Sequence, residues 1–228
     1  QRLPGTKVEG HGIGLATVRE LAGLGASVLM VARDESHLEQ VRDELAEEMP
    51  GCALHSIAAD VGEHEQRLEV FDYISDLDLD LSLLINNVGM NIRKPTLEYS
   101  EGEYRSIIET SMVSTFEMCR LAHAHLREHG NAAIVNVGSV SGSTAIRTGS
   151  PYGMSKAGVH QLTRNLASEW AEDGIRVNSL HPNAVFDTGL WTEEVLAARA
   201  ASYGLTVDAY KRNNVLRVHM SYLGPDNL

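Results

Sequence analysis

Basic residues are scarce in this 228-residue chain: 19 Lys and Arg stand against 31 Asp and Glu, for a formal net charge of −12. Such a balance argues against a general binder of nucleic acid or anionic membranes, although a local basic pocket can still hold a phosphate. Cysteine is scarcer. Cys52 and Cys119 are too few for a disulfide framework and have no CxxC spacing, so they read as buried thiols of a reduced compartment. No apolar run approaches the roughly 20 residues that span a bilayer, and Gln1-Arg2-Leu3-Pro4-Gly5 shows no apolar signal-peptide core. The expectation is a soluble, cytoplasmic protein. No Pro/Ser-rich linker, repeat or low-complexity tract breaks the sequence, which predicts one domain over 1–228. Hydrophobic residues at 43% and charged residues at 22% exclude wholesale disorder. A chain this long needs no metal or disulfide staple.

What is present is an alternation. Aliphatic runs at Ser27–Ala32, Ala53–Ala58, Leu81–Ile85, Ala132–Val137 and Ile175–Leu180 are separated by amphipathic stretches. Those stretches are Gly14–Leu24, Ser36–Glu48, Glu63–Ile74, Glu101–His129, Tyr152–Ala171 and Thr192–Asn213. Nearly continuous apolar strands are buried on both faces, and β-α-β-α order predicts a doubly wound α/β fold: a parallel sheet flanked by helices. In such sheets ligands bind beyond the carboxyl ends of the strands, so the residues after each strand matter most.

Gly10-His11-Gly12-Ile13-Gly14 opens the first helical stretch. Glycines there let the backbone approach a pyrophosphate that the helix N-terminus attracts, though a turn or helix cap uses the same residues. The next strand ends 19 residues after Gly14, at Arg33, where a dinucleotide fold reads the adenosine ribose. Arginine there can pair with a 2′-phosphate; it can equally be a solvated residue before a helix opened by Asp34. Asn86-Asn87-Val88-Gly89 follows Leu81–Ile85 and fits either a close approach to a ring or a structural turn. Ser139 follows Ala132–Val137, and then come Tyr152 and Lys156. Four residues apart on a helix, those two share a face. A nearby ammonium is expected to lower the tyrosine pKa, making Tyr152 a general acid for a carbonyl and a base for an alcohol. Ser139 can donate to the same substrate oxygen. Taken alone, the pair also fits a surface contact.

In this order the motifs resemble the short-chain dehydrogenase/reductase family, from roughly residue 3 to residue 185. The resemblance is carried by Gly12-Ile13-Gly14, Asp60-Val61, Asn86-Asn87-Val88-Gly89, Ser139-Val140-Ser141-Gly142, Tyr152 with Lys156, and Arg176-Val177-Asn178. Within the family, Glu20-Leu21-Ala22-Gly23-Leu24-Gly25-Ala26 and the run from Ser168 to Asn178 look most like tropinone-reductase-type members. The resemblance implies hydride transfer between a nicotinamide and an alcohol/carbonyl pair, the cofactor doing the chemistry and the protein aligning it. It implies Tyr152 as acid/base, Ser139 on the substrate oxygen, and Lys156 on the nicotinamide ribose. Gly12, Ile13, Gly14, Arg33, Asp60, Val61, Asn87, Gly89, Pro182 and Val185 are implied around the cofactor, with NADP(H) favoured over NAD(H) because of Arg33. Ser141, Ile146 and Trp191 are implied near the substrate, and the segment from Val185 to Asn213 as a substrate lid. A homodimer or homotetramer is implied as well.

Four departures stand out. Val8 occupies the place of a family glycine, in a run from Gly5 to Gly12 that is short for a strand and turn. Ser111 stands for the asparagine that commonly completes a proton relay. Pro182-Asn183 replaces Pro-Gly. The sequence from His219 to Pro225 shows no recognisable final strand. Competing readings are a sugar or polyol dehydrogenase, hinted at by Trp191-Thr192 and Tyr203-Gly204, and a catalytically weak dinucleotide-binding sensor or partner protein. His123, His125 and His129 lack a third and fourth ligand at zinc spacing, so no metal is expected.

Overall fold

The computed structural model describes residues 12–78, 80–186 and 191–213, and the backbone of 219–221. The elements follow the alternation closely. They are α1 (Ile13–Gly23), β1 (Val28–Ala32), α2 (Glu35–Glu48), β2 (Leu54–Ala58), α3 (His64–Asp76) and β3 (Leu83–Asn86). Next come α4 (Glu101–Ile108), α5 (Ser114–His129), β4 (Ala132–Val137), α6 (Ser150–Glu169), β5 (Ile175–His181), α7 (Glu193–Ser202), α8 (Val207–Asn213) and β6 (His219–Ser221). They fall into two compact units, Gln1–Ala58 with Asn183–Arg217, and Ala59–Pro182 with Val218–Leu228.

In the first unit β1 and β2 pair in parallel, Val28 opposite Leu54 through Ala32 opposite Ala58. Met30, Leu38 and Leu45 form its core, with Leu15, Val18, Val41 and Leu54 against them. Helix α2 begins where Asp34 accepts the His37 N–H at 3.0 Å, satisfying a donor the helix cannot. The stretch expected as one helix over 192–213 is two. Its break holds Gly204 at φ 67°, a conformation other residues adopt only with strain, and Thr206 restarts α8 by accepting the Ala209 N–H.

In the second unit the strand order is β3-β4-β5-β6. The first three are parallel. The fourth, β6, runs antiparallel to β5, His219 opposite His181. This corrects the expectation of no final strand: a three-residue edge strand can be held by backbone pairing without an apolar pattern. Ala132, Ile134, Ile175 and Val177 are fully buried at the sheet centre, which accounts for their unbroken aliphatic runs.

The expected helix over 101–129 is also interrupted. Ser100 opens α4 with a capping box to Glu103. Between α4 and α5, Glu109–Val113 forms one wide π turn. Two side chains there bond backbone: Ser114 Oγ donates to Thr110 O at 2.7 Å, and Ser111 bonds a neighbouring loop. Hydroxyls inserted into a helix ladder are a known cause of such widening.

Candidate active site

Strand β4 ends at Val137 and delivers Ser139 to the start of a short turn, Val140–Gly142. Ser139 is extended, and its Oγ accepts the Ser141 N–H at 3.1 Å. The turn is tied to β5 because Gly138 N–H donates to Leu180 O and Val140 N–H to Pro182 O. Helix α6 then carries Tyr152 and Lys156 on one face. The Ser139 side chain acts on the Tyr152 hydroxyl and favours its ionised form. The Lys156 ammonium, 3% exposed, donates to Val137 O at 2.7 Å and lies 5.8 Å from the Tyr152 ring centre.

The electrostatics differ from expectation. Burial raises the Tyr152 pKa above its usual 10.0; the Ser139 hydrogen bond and the charge of Arg93 oppose that rise, and Lys156 is not among its causes. Proximity in sequence predicts an ammonium beside a phenolate; in the fold the ammonium turns to a strand carbonyl, and desolvation of the phenolate prevails. Burial also brings the Lys156 pKa down to about 8.

The loop after β3 runs beside this pair. A Cβ on Gly89 would lie 3.3 Å from Lys156 Nζ and 3.7 Å from Ser111 Oγ, so glycine keeps this approach open. Ser111, fully buried in the π turn, accepts the Met90 N–H at 2.9 Å and donates to Met90 O at 3.1 Å. Its only proton is therefore committed to the loop backbone, which makes Ser111 a clamp on that loop. Asn87 and Val88 are exposed. Ser141 and Ile146 meet at Gly153, beside Tyr152: a Cβ there would be 3.1 Å from Ser141 O and 3.6 Å from Ile146 Cδ1. Asp60 Oδ1 accepts the Gly62 N–H, and buried Val61 accepts from Arg67 at its carbonyl.

Sequence reasoning missed the support beneath the site. Asn86 Nδ2 donates to Asn136 Oδ1 (2.8 Å) and to Cys119 Sγ (3.3 Å), and Asn136 Nδ2 donates to Thr163 Oγ1 (3.0 Å). Polar residues in otherwise aliphatic strands were the available signal. Burial pushes the Cys119 thiol up to about 12, so it is an inert, packed thiol. Arg93 was also missed, because its charge reaches Tyr152 only through folding.

In the first unit, Gly12 is the extended residue before α1, a helix with no capping side chain and no acid in its first turn. The first-turn N–H groups at Ile13 and Gly14, which the helix itself does not pair, suit a phosphate. Val8, His11 and the rest of the glycine run lie outside the described residues. Arg33 is exposed directly after β1, and Asp34 caps α2 as its alternative role required. Trp191 stacks edge-on to Phe186 (5.0 Å) and lies 6.1 Å from Tyr210, which in turn meets Tyr203 at 5.8 Å. These aromatics pack on one another. Asn183 keeps ordinary backbone, since Asp78 alone among the described non-glycine residues has positive φ. His123 pairs with Asp173, His129 with Asp80, and His125 stacks on Phe71, so the three serve separate contacts.

Comparison with known proteins agrees with this arrangement. The family model for short chain dehydrogenases matches residues 9–199. A chloroplastic tropinone reductase homolog of Arabidopsis thaliana is 40% identical over 173 residues, 75% of this chain and 53% of the relative. The chain thus spans about half the length of that relative. A crystal structure of a putative gluconate dehydrogenase from Agrobacterium tumefaciens aligns with TM-score 0.71 and 32% identity, covering 74% of this chain and 66% of that one. A gluconate 5-dehydrogenase from Burkholderia cenocepacia, in complex with NADP and tartrate, aligns with TM-score 0.70 and 28% identity, covering 75% and 66%. Glycine-led α1, the Gly89 loop beside Lys156 and the Ser139–Tyr152 pair thus lie in a chain that belongs to the short-chain dehydrogenase family.

Proposed function

We propose that the protein is an oxidoreductase that transfers a hydride between NADP(H) and a small ketone or secondary alcohol, in the manner of tropinone-reductase-like members. The observation that carries this is the Ser139 side chain acting on the Tyr152 hydroxyl, with buried Lys156 one helical turn further on. A bound nicotinamide supplies the hydride in reduction and receives it in oxidation. Tyr152, kept protonated by burial, donates its proton to the developing alkoxide, and Ser139 holds the same oxygen. Lys156 and Gly89 hold the nicotinamide ribose, with Asn87, Pro182 and Val185 along the same cofactor. Gly12, Ile13 and Gly14 receive the pyrophosphate, Asp60 and Val61 flank the adenine, and Arg33 pairs with the 2′-phosphate. Ser141, Ile146 and Trp191 contact the substrate. Ser111 acts by fixing the loop at Met90. A cytoplasmic setting and a homodimer or homotetramer complete this reading.

A second reading has one specific observation behind it. The Arg93 guanidinium acts on the Tyr152 hydroxyl, so a substrate bearing a carboxylate beside its reacting carbon would gain an ionic partner. Sugar acids fit that description, in line with the gluconate dehydrogenases among the structural relatives.

Fluorescence titration with NADPH and NADH, followed by Tyr152→Phe, tests the proposal. NADPH should bind more tightly, and Arg33→Ala should abolish the preference. Tyr152→Phe should lose about 100- to 10,000-fold in turnover with NADPH affinity unchanged. Unchanged turnover in that variant defeats the mechanism. If neither dinucleotide binds the folded protein, the sensor alternative is left without its ligand too. NADPH-dependent reduction of ethyl 4-chloroacetoacetate against NADP-dependent oxidation of gluconate separates the two enzyme readings.

A further inference from the structure

One turn beyond Lys156 on α6 lies His160, a side chain that the proposed mechanism does not use. It is 4% exposed and stacked on His181 of β5, with ring centres 3.6 Å apart and planes within 5°. The turn carrying Ser139 is wrapped around it. Ser139 N–H donates to His160 Nε2 at 3.4 Å, and Ser143 Oγ lies 3.3 Å from His160 Nδ1. The backbone has no room to stand further off. A Cβ on Gly138 would come within 2.5 Å of His160 Nε2, and one on Gly142 within 2.6 Å of His160 Cε1.

These contacts settle the tautomer. A backbone N–H only donates, so Nε2 must present its lone pair; a neutral imidazole then carries its proton on Nδ1 and donates it to Ser143 Oγ. One ring thereby bonds the first and last residues of the turn from Ser139 to Ser143. Protonating Nε2 would set a second N–H against that of Ser139. Burial above all opposes protonation of the ring, His181 from β5 and Arg164 and Lys156 from α6 add to it, and together they bring its pKa down to about 4. The neutral form is the one present in the neutral pH range.

We infer that His160 is a positioning residue for Ser139: as the Nδ1–H tautomer, it holds the backbone of the turn so that the serine hydroxyl meets Tyr152. The inference rests on Ser139 belonging to the catalytic set. It is distinct from the Tyr152–Lys156 chemistry, since His160 acts only through the turn.

Two measurements test it. Long-range ¹H–¹⁵N NMR of the wild-type protein reads the tautomer without any substrate. A bare Nε2 and protonated Nδ1 are expected for His160, and a proton on Nε2 overturns the inference. Steady-state kinetics then compare His160→Leu, which fills the space without an acceptor, with His160→Gln, whose amide oxygen can take the Ser139 N–H. His160→Leu should lower kcat about 10- to 100-fold while KM and NADPH affinity stay within about threefold, as expected for a displaced reacting group. His160→Gln should recover most of the loss. Equal kcat in His160→Leu and wild type, or equal loss in both variants, also overturns it. A melting curve identifies a variant that fails to fold, in which case the tautomer decides. If wild-type protein turns over neither ethyl 4-chloroacetoacetate nor gluconate, the proposed function fails, and the tautomer still decides whether His160 braces the turn.

Discussion

The turn between β4 and α6 and the α7–α8 segment are held by different mixes of contacts. Around Ser139, most restraints are short, directional and buried: Gly138 to Leu180, Val140 to Pro182, Ser139 to His160, and Lys156 to Val137. Around Trp191, ring contacts link Phe186, Trp191, Tyr203 and Tyr210, with Lys211 over the Phe186 ring and Arg199 bonded to the Tyr203 hydroxyl. Hydrogen bonds fix angles as well as distances, whereas apolar contacts tolerate rearrangement at little cost. A proton donor must be placed to a fraction of an ångström. A surface that selects among substrates gains from being able to repack.

The sharpest way to break this comparison is by truncation. Ile134→Ala, at the fully buried centre of β4, should cost about 2–5 kcal/mol in urea unfolding. Trp191→Ala should cost about 1 kcal/mol, near the lost aromatic contacts, and should change KM across a substrate panel more than kcat. Equal costs would mean that the sheet beneath the turn and the α7–α8 segment contribute alike to stability. Gly142→Ala comes next. Its Cβ would meet Lys156 C at 2.7 Å and Ala157 N at 2.8 Å, atoms of backbone that cannot swing aside. A loss of about 1–3 kcal/mol is expected, together with a lower kcat, whereas alanine at Gly23, which has open space, should be tolerated.

Acid sharpens the comparison further. The neutral His160 ring is favoured by the fold, with a pKa of about 4 against 6.5 for the ordinary group. Between those values the unfolded chain binds more protons, so stability should fall as pH drops from 6.5 to about 4, with no further loss from this group below that. Urea midpoints followed across that range should show a shallower decline in His160→Leu; an identical slope excludes His160 as a source. The smallest effect is expected from Arg93→Ala. Removing the cation that favours the phenolate should move the rising limb of the alcohol-oxidation profile to higher pH, by less than about one unit for a screened charge. A shift the other way would show that Arg93 does not act on Tyr152.

Much of this architecture was legible because its signals are local. The five aliphatic runs mark β1 to β5 within two residues at each end, since burial on both faces leaves few alternatives in composition. The pairing of Ser139 with Tyr152 was legible only through motif order: 13 residues and a turn separate them, and spacing alone does not bring them together. Other features gave no local sign. The π turn at Glu109–Val113 depends on where hydroxyls find backbone acceptors, and β6 depends on pairing with β5 rather than on apolar patterning.

The sequence by itself determined the alternation of strands and helices, the residues that end each strand, and the face shared by Tyr152 and Lys156, because periodicity and turn chemistry act over a few residues. Tertiary structure alone decided the charge states and the supports. Lys156 turned to Val137 O instead of the phenol, burial moved Tyr152 up and Lys156 down, and Arg93 came to act on Tyr152. The same packing placed His160 between Ser139 and His181. These outcomes depend on distance and desolvation, which neighbours in space impose and neighbours in sequence do not.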